Sequence, residues 1–131
     1  MKLLAILLSL TVVKSIGGEL NDFRWKQRIL VVTSSSSSLR GNLVKDEVGL
    51  LERDVRVFIL DDPEKAPSAS LAAELKQRLK IRDGVDEVFL LGKDGRTILR
   101  WKAEEFTLPA LFLKIDSMPM RKTEMQERRE K

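Results

Sequence analysis

The chain predicts an α/β fold of order βαβαββα, in which a mixed sheet of four strands is flanked by helices. Three observations carry this reading. Two aliphatic, β-branched runs at 29–33 and 55–60 are continuous rather than alternating, which marks strands covered on both faces. Apolar residues recur at helical spacing after each of them. The runs VFLL (88–91) and TILRW (97–101) are joined through GKDG, whose Asp94-Gly95 supplies the positive φ of a tight hairpin turn, so these two strands are expected to be antiparallel neighbours.

Taken in order, residues 19–27 form a polar lead-in whose Leu20, Phe23 and Trp25 pin it to the body. The first strand follows. From Leu39 the period becomes helical, with Val44, Val48 and Leu51 at i, i+4 and i+7 forming the expected inner stripe, Leu43 and Leu50 alongside, and Gly41 and Gly49 weakening the helix. The second strand is broken by DDPEKAP, because Pro63 cannot donate to a ladder and biases Asp62 away from helix. A second helix is expected over 68–80, capped by a serine, with Leu71, Leu75 and Leu79 on one stripe and Glu74 four residues ahead of Arg78. After the hairpin a third helix starts at Thr107 as N-cap, tolerates Pro109 in its first turn, buries Leu108, Phe112 and Ile115, and ends near Asp116. Two strand–helix–strand units of right-handed crossover, a hairpin and a closing helix give the layout of a thioredoxin-like domain. The final stretch, RKTEMQERREK, is mixed in charge and poor in apolar groups, which suits a frayed helical extension or, by preference, a disordered end.

A length of 131 residues suits one domain with a modest core. Residues 1–18 open with Lys2, run apolar from Leu3 to Val13 and end on the small residues Ser15 and Gly17. They read as a secretory signal, too short and too interrupted by Lys14 for a membrane anchor. The expected organisation is therefore a signal at 1–18, a domain at 19–117 and a Met-rich, charged tail at 118–131, in a secreted protein. Removing Lys2 and Lys14 from the 24 basic residues leaves 22 against 20 acidic ones, a net of +2. Clustered cations are needed to displace the counterions of a phosphate backbone, so nucleic acid is not an expected partner. Nor is a membrane anchor expected once the signal is removed.

The residues that are missing exclude more chemistry than the residues present suggest. With no cysteine the chain makes no disulfide, offers no thiol nucleophile and builds no zinc–thiolate site. Without histidine it lacks both the usual base near neutral pH and the imidazole of a serine triad. No catalytic residue and no cofactor is therefore read. Asp61 and Asp62 stand at a strand end before Pro63 and suit a turn rather than a carboxylate pair. Met118, Met120 and Met125 carry thioethers that are soft donors for Cu(I); the competing reading is packing, with Pro119 fixing a fold-back turn and Arg121 pairing with Asp116. Trp25 and Trp101 are flanked by cations, among them Arg24 and Arg100, and would form a small recognition patch if they sit close on the surface.

Four blocks, FRWKQRILVV (23–32), LLERDVRVFIL (50–60), LLGKDGRTILRW (90–101) and IDSMPMRKTEM (115–125), resemble the signature of a domain-of-unknown-function family with a thioredoxin- or peroxiredoxin-like fold. Its members include short exported bacterial proteins and, as the DUDES-type domain, animal matrix and sushi-repeat proteins. The resemblance implies an exported, non-enzymatic domain that binds an exported protein or matrix partner, and it brings no catalytic residues with it. The competing class is a peroxiredoxin-like oxidoreductase relative that has lost its cysteines. In such a fold the loop after the first strand holds the thiolate, because helix N–H groups and the dipole lower a cysteine pKa there. Here that loop is TSSSSSLRG. Serine hydroxyls do not cycle between thiol and disulfide, and RDGVDEV before the third strand lacks the expected proline. One of Ser35, Ser36, Ser37 and Ser38 is expected to cap the helix, with weak anion binding by the same hydroxyls as the alternative.

Overall fold

The structure is a computed structural model that describes residues 19–34 and 37–130, with backbone alone for Ser37, Ser38 and Glu130. The proposed signal segment lies outside the described residues, as do Ser35 and Ser36. At its centre is strand β1 (Arg28–Val32), all five residues of which are buried. It pairs in parallel with β2 (Val55–Ile59) and antiparallel with β3 (Glu87–Leu91), and β3 pairs antiparallel with β4 (Thr97–Lys102). The sheet order is β2-β1-β3-β4. Only the first strand–helix–strand unit is thus a parallel crossover. The second carries the chain over β1 and returns it in the opposite direction, which makes the sheet mixed.

Alternation along the strands divides the core into two layers. Leu30, Val32, Val55, Ile59, Val88 and Leu90 face α1 (Ser37–Lys45), α2 (Glu47–Glu52) and α4 (Leu108–Asp116). Ile29, Val31, Phe58, Phe89 and Leu91 face α3 (Ala69–Leu79), whose Leu71, Leu75 and Leu79 are the expected stripe. Ser68 caps α3 by accepting Leu71 N–H at 3.2 Å, and Thr107 caps α4 by accepting Ala110 N–H at 3.3 Å. Gly95 takes φ +84° in the hairpin turn, as Asp94-Gly95 requires. The lead-in is held by Leu20 in the core and by an edge-to-face contact of Phe23 on Phe58 at 5.7 Å.

The single helix expected after β1 is two helices, and its inner stripe is a different one. Asp46 ends α1 and caps α2 by accepting Gly49 N–H at 2.9 Å, and a Cβ on residue 49 would stand 2.7 Å from that carboxylate. The break rotates α2 relative to α1. Leu39, Leu43 and Leu50 are buried as a result, while Val44, Val48 and Leu51 are 55 %, 66 % and 70 % exposed. In α4 the buried stripe is Leu108, Leu111 and Ile115. Phe112 lies instead under the Arg53 guanidinium, 4.1 Å from the ring centroid. The charged terminal stretch is an ordinary helix, α5 (Pro119–Glu130), and the reason lies in ion pairs rather than apolar burial. Among the described residues no helix is long and apolar enough to cross a membrane.

Neighbouring leucines in α2 separate the two stripes experimentally. Leu50→Ala empties a core site and is expected to cost about 2–5 kcal/mol in urea unfolding, whereas Leu51→Ala stays within about 0.5 kcal/mol of the parent. The reverse order would restore the continuous-helix stripe.

Candidate functional site

Two ends of the sheet concentrate polar groups, and they differ in kind. At the C-terminal end of β1, Thr33 ties the strand to the loop before β3. Its N–H donates to Glu87 O at 3.1 Å, its hydroxyl accepts from Glu87 N–H at 2.9 Å, and the same hydroxyl donates to Val85 O at 3.2 Å. Thr33 and Ser34 line a recess of about 230 Å³ with Asp61, Lys76, Asp83 and Asp86. The helix that follows begins at Ser37, but the cap and anion readings of Ser35, Ser36, Ser37 and Ser38 fall on atoms outside those described. Asp62, close by, is a turn carboxylate. It accepts from Glu64 N–H at 2.8 Å and Lys65 N–H at 3.3 Å, and Arg40 approaches its other oxygen at 2.7 Å. The Glu64 N–H bond chiefly holds its pKa below the ordinary 3.8, aided by Lys65 and Arg40 and opposed by burial. Among the described residues the groups at this end are hydroxyls, carboxylates and Lys76, and the chain has no cysteine to place there.

The opposite end holds a buried ionic cluster drawn from all four sequence blocks. Arg28 opens β1, is 1 % exposed, and donates to Arg53 O at 2.8 Å and Glu124 Oε2 at 3.3 Å. Lys93 Nζ bonds the Asp54 carboxylate at 2.9 Å and the other oxygen of Glu124. Arg53 grips Asp116 with two bonds, at 3.0 and 2.9 Å, and reaches Gly49 O at 2.9 Å. Arg121 joins Asp116 at 3.2 Å, as its spacing suggested, and donates to Glu52 O at 3.0 Å. Arg28, Arg53, Lys93 and Arg121 thereby neutralise Asp54, Asp116 and Glu124. Asp54 enters at φ +52°, a conformation Asp tolerates, and its carbonyl accepts Arg28 N–H at 2.7 Å.

In this cluster Arg28, Lys93 and Arg121 are almost wholly desolvated and Glu124 largely so, so these charges depend on their partners, while Asp54 and Asp116 remain partly exposed at its rim. Burial pushes the Glu124 carboxyl up, but the Lys93 hydrogen bond and the charges of Arg28 and Lys93 outweigh it and leave the pKa below the ordinary 4.5. The Arg53 hydrogen bond is the chief cause that holds Asp116 below its usual 3.8, with Arg121 helping against burial. Paired carboxylates of this kind are poor bases and poor ligands for anything external. Their work is to fasten α5. Periodicity missed Arg28, Arg53, Lys93 and Glu124 because it scores apolar faces; the signal that marks them is a charge standing inside each signature block.

The remaining candidates are dispersed. Met118 packs against the core, Met120 is exposed and Met125 is half-buried. On α5 the last two stand five residues apart, about 140° around the helix, and do not share a face. Among the described residues no group of acidic side chains is arranged to hold a metal ion. Trp25 N–H bonds Lys93 O beyond the end of β3, while Trp101 pairs with Val88 near its start, which puts the two roughly 15 Å apart along the strand. They also differ in setting: Trp25 is 59 % exposed with Arg24 over its ring, and Trp101 packs edge-to-face on Phe106 at 5.2 Å. Arg100 lies on the α3 side, over Phe89 and 3.2 Å from Glu87. The patch expected from Trp25, Trp101, Arg24 and Arg100 therefore does not assemble around both tryptophans.

The strand order and the helices on both faces define a thioredoxin-like α/β domain, and solved structures share it. A Plasmodium yoelii Prx1a superposes with a TM-score of 0.58 at 12 % identity, over 79 % of this chain and 80 % of that one. The mitochondrial 2-Cys peroxiredoxin from Plasmodium falciparum gives 0.52 at 11 % identity, over 75 % and 79 %. At such identities the likeness speaks for the fold alone. None of the curated proteins compared with the chain matches it. The chain belongs to the family described as Domain of unknown function (DUF4174), whose model matches residues 19–124 and so ends on the cluster's Glu124. Peroxiredoxin-type chemistry has no support in a chain without cysteine.

The lowered pKa of Glu124 sets the sign of a pH dependence. A carboxylate whose folded value lies below its unfolded value stabilises fully above about 4.5, and this contribution is lost as pH falls through the folded value. Glu124→Gln is expected to be less stable than the parent at pH 7 and to approach it as the solution is acidified below pH ~4.5, in urea melts taken at several pH values. A constant difference at every pH would contradict this linkage.

Proposed function

We propose that the chain is an exported, non-catalytic thioredoxin-like module that acts by binding a component of the exported or matrix fraction. The observation that carries the reading is the chemistry of the β1–α1 junction, where the fold family would hold a thiolate and this chain offers only Thr33, Ser34 and further hydroxyls. A serine hydroxyl is not ionised by a helix end and stores no redox equivalent. Residues 1–18, with their short apolar run and small terminal residues, support export. The four signature blocks, rather than converging on a reaction centre, converge on paired charges that hold the scaffold in shape. The reading as an oxidoreductase relative that has lost its cysteines describes the same molecule by its descent. Copper binding through Met118, Met120 and Met125 finds less support, because the helix turns Met120 and Met125 apart.

The test has two arms. Purified protein given hydrogen peroxide and a dithiol is expected to show no turnover above buffer, and immobilised protein is expected to retain a specific component of its native exported fraction. Turnover, or retention of nothing beyond the bare matrix, would contradict the proposal. In parallel, titration with Cu(I) should give equal, negligible binding for the parent and for a variant with leucine at all three methionines.

A further inference from the structure

α3 covers β2, β1 and β3 but leaves the face of β4 open, and a trough runs between the C-terminal half of α3 and the β3–β4 hairpin. Two adjoining recesses make it up, of about 370 and 220 Å³, with Arg78 lining both. Its charged lining is Arg24, Arg78, Lys80, Arg96 and Arg100 against one carboxylate, Asp94. Asp94 is itself engaged, accepting Arg96 N–H at 3.0 Å. Arg100 is balanced by Glu87 at 3.2 Å. Among the described residues no carboxylate lies within ion-pair distance of Arg24, Arg78, Lys80 or Arg96. Five cations thus face one carboxylate in a single concave strip, where like charges in a cleft raise the local concentration of an anion.

We infer that this trough binds an anionic polysaccharide, one bearing carboxylate or sulfate groups. The inference rests on the reading as a binding module and names its partner's chemistry. Arg96, in the turn before β4, and Arg100, within it, stand on the order of 10 Å apart, further than a single small anion bridges, so the ligand is polyvalent. Guanidinium forks suit planar carboxylate and the oxygens of sulfate. A single-stranded nucleic acid needs a row of aromatic faces for successive bases, whereas Phe89 is buried beneath Arg100 and Trp25, next to Arg24, is a single ring. β4 is the sheet's edge strand and can pair with a peptide, but a peptide so paired lies in the sheet plane, beside the trough rather than in it. A sugar chain needs neither feature. It does need charge and polar contact along a groove, and Trp25, exposed and next in sequence to Arg24, offers a ring for the apolar side of a pyranose at one end.

Binding of the purified protein to immobilised polygalacturonate, heparin, neutral dextran and a single-stranded oligonucleotide tests this, with salt varied. The expected result is retention on one or both acidic polysaccharides and none on dextran, with log affinity falling linearly against log salt. The double reversal Arg78→Glu/Arg96→Glu should weaken it by about tenfold or more, while Lys45→Glu/Lys114→Glu, with the same change in net charge away from the trough, should retain it. Preference between the two polymers tells carboxylate from sulfate. Equal loss in both variants, stronger retention on the oligonucleotide, or no retention on either polysaccharide would overturn the inference. Circular dichroism and melting temperature of both variants keep a folding defect from passing for lost binding. The module reading is judged separately, by peroxide turnover and by capture from the exported fraction.

Discussion

A guanidinium buried at the first residue of the central strand sets the terms for one whole end of the molecule. Arg28 sits where an aliphatic side chain would be expected, and an unpaired charge there would be untenable. Its bonds to Arg53 O and Glu124 therefore require two other segments to be in place, the turn before β2 and the helix α5. Lys93, Asp54, Arg53, Asp116 and Arg121 extend the same requirement to the hairpin and to the end of α4. A buried ionic cluster adds little net stability over an apolar one, but it tolerates few arrangements, and that is how a helix with almost no apolar face acquires a fixed position.

This dependence explains which parts of the fold were legible in the sequence. Strands β1 to β4 were, because burial on two faces or a hairpin turn leaves continuous apolar runs and an Asp-Gly in plain view. The caps Ser68 and Thr107 were legible for the same local reason. The stripe of Val44, Val48 and Leu51 misled because helical spacing assumes an unbroken helix, and Asp46 with Gly49 breaks it at a point where a single Asx cap outweighs periodicity. α5 was read as a frayed helical extension or, by preference, a disordered end, since its reason for being ordered is not in its own composition but in Arg28 and Lys93, residues far away in the chain. Only Asp116 and Arg121, near neighbours, betrayed the connection.

Of the candidate site residues, those chosen by type alone fared unevenly. The tryptophans were paired by their similar flanks, yet they lie at opposite ends of β3, with Trp25 exposed and Trp101 packed on Phe106. Arg24 and Arg100 line the open trough, with Lys80 and Arg96, which no local pattern singled out because they come from a helix end and a turn, and with Arg78, which spacing had assigned to Glu74 and which makes no ion pair with it. The fold that elsewhere surrounds a thiolate is kept here with its sheet, its crossover and its closing helix, while its charge is spent on a lock at one end and, on our reading, a groove at one side. Structure and chemistry are separable in this architecture, as is common for widely used folds.

The lock is tested most directly by a double-mutant cycle at its centre, with Arg28→Met, Glu124→Gln and the two combined, each measured by urea unfolding at pH 7. Coupled burial predicts strong non-additivity, with the pair costing less than the two single changes summed by roughly 2 kcal/mol, since losing Glu124 leaves Arg28 without a carboxylate and losing Arg28 leaves Glu124 with Lys93 as its main partner. Additivity to within about 0.5 kcal/mol would mean that Arg28 and Glu124 are indifferent to one another, and would contradict the account of how α5 is held.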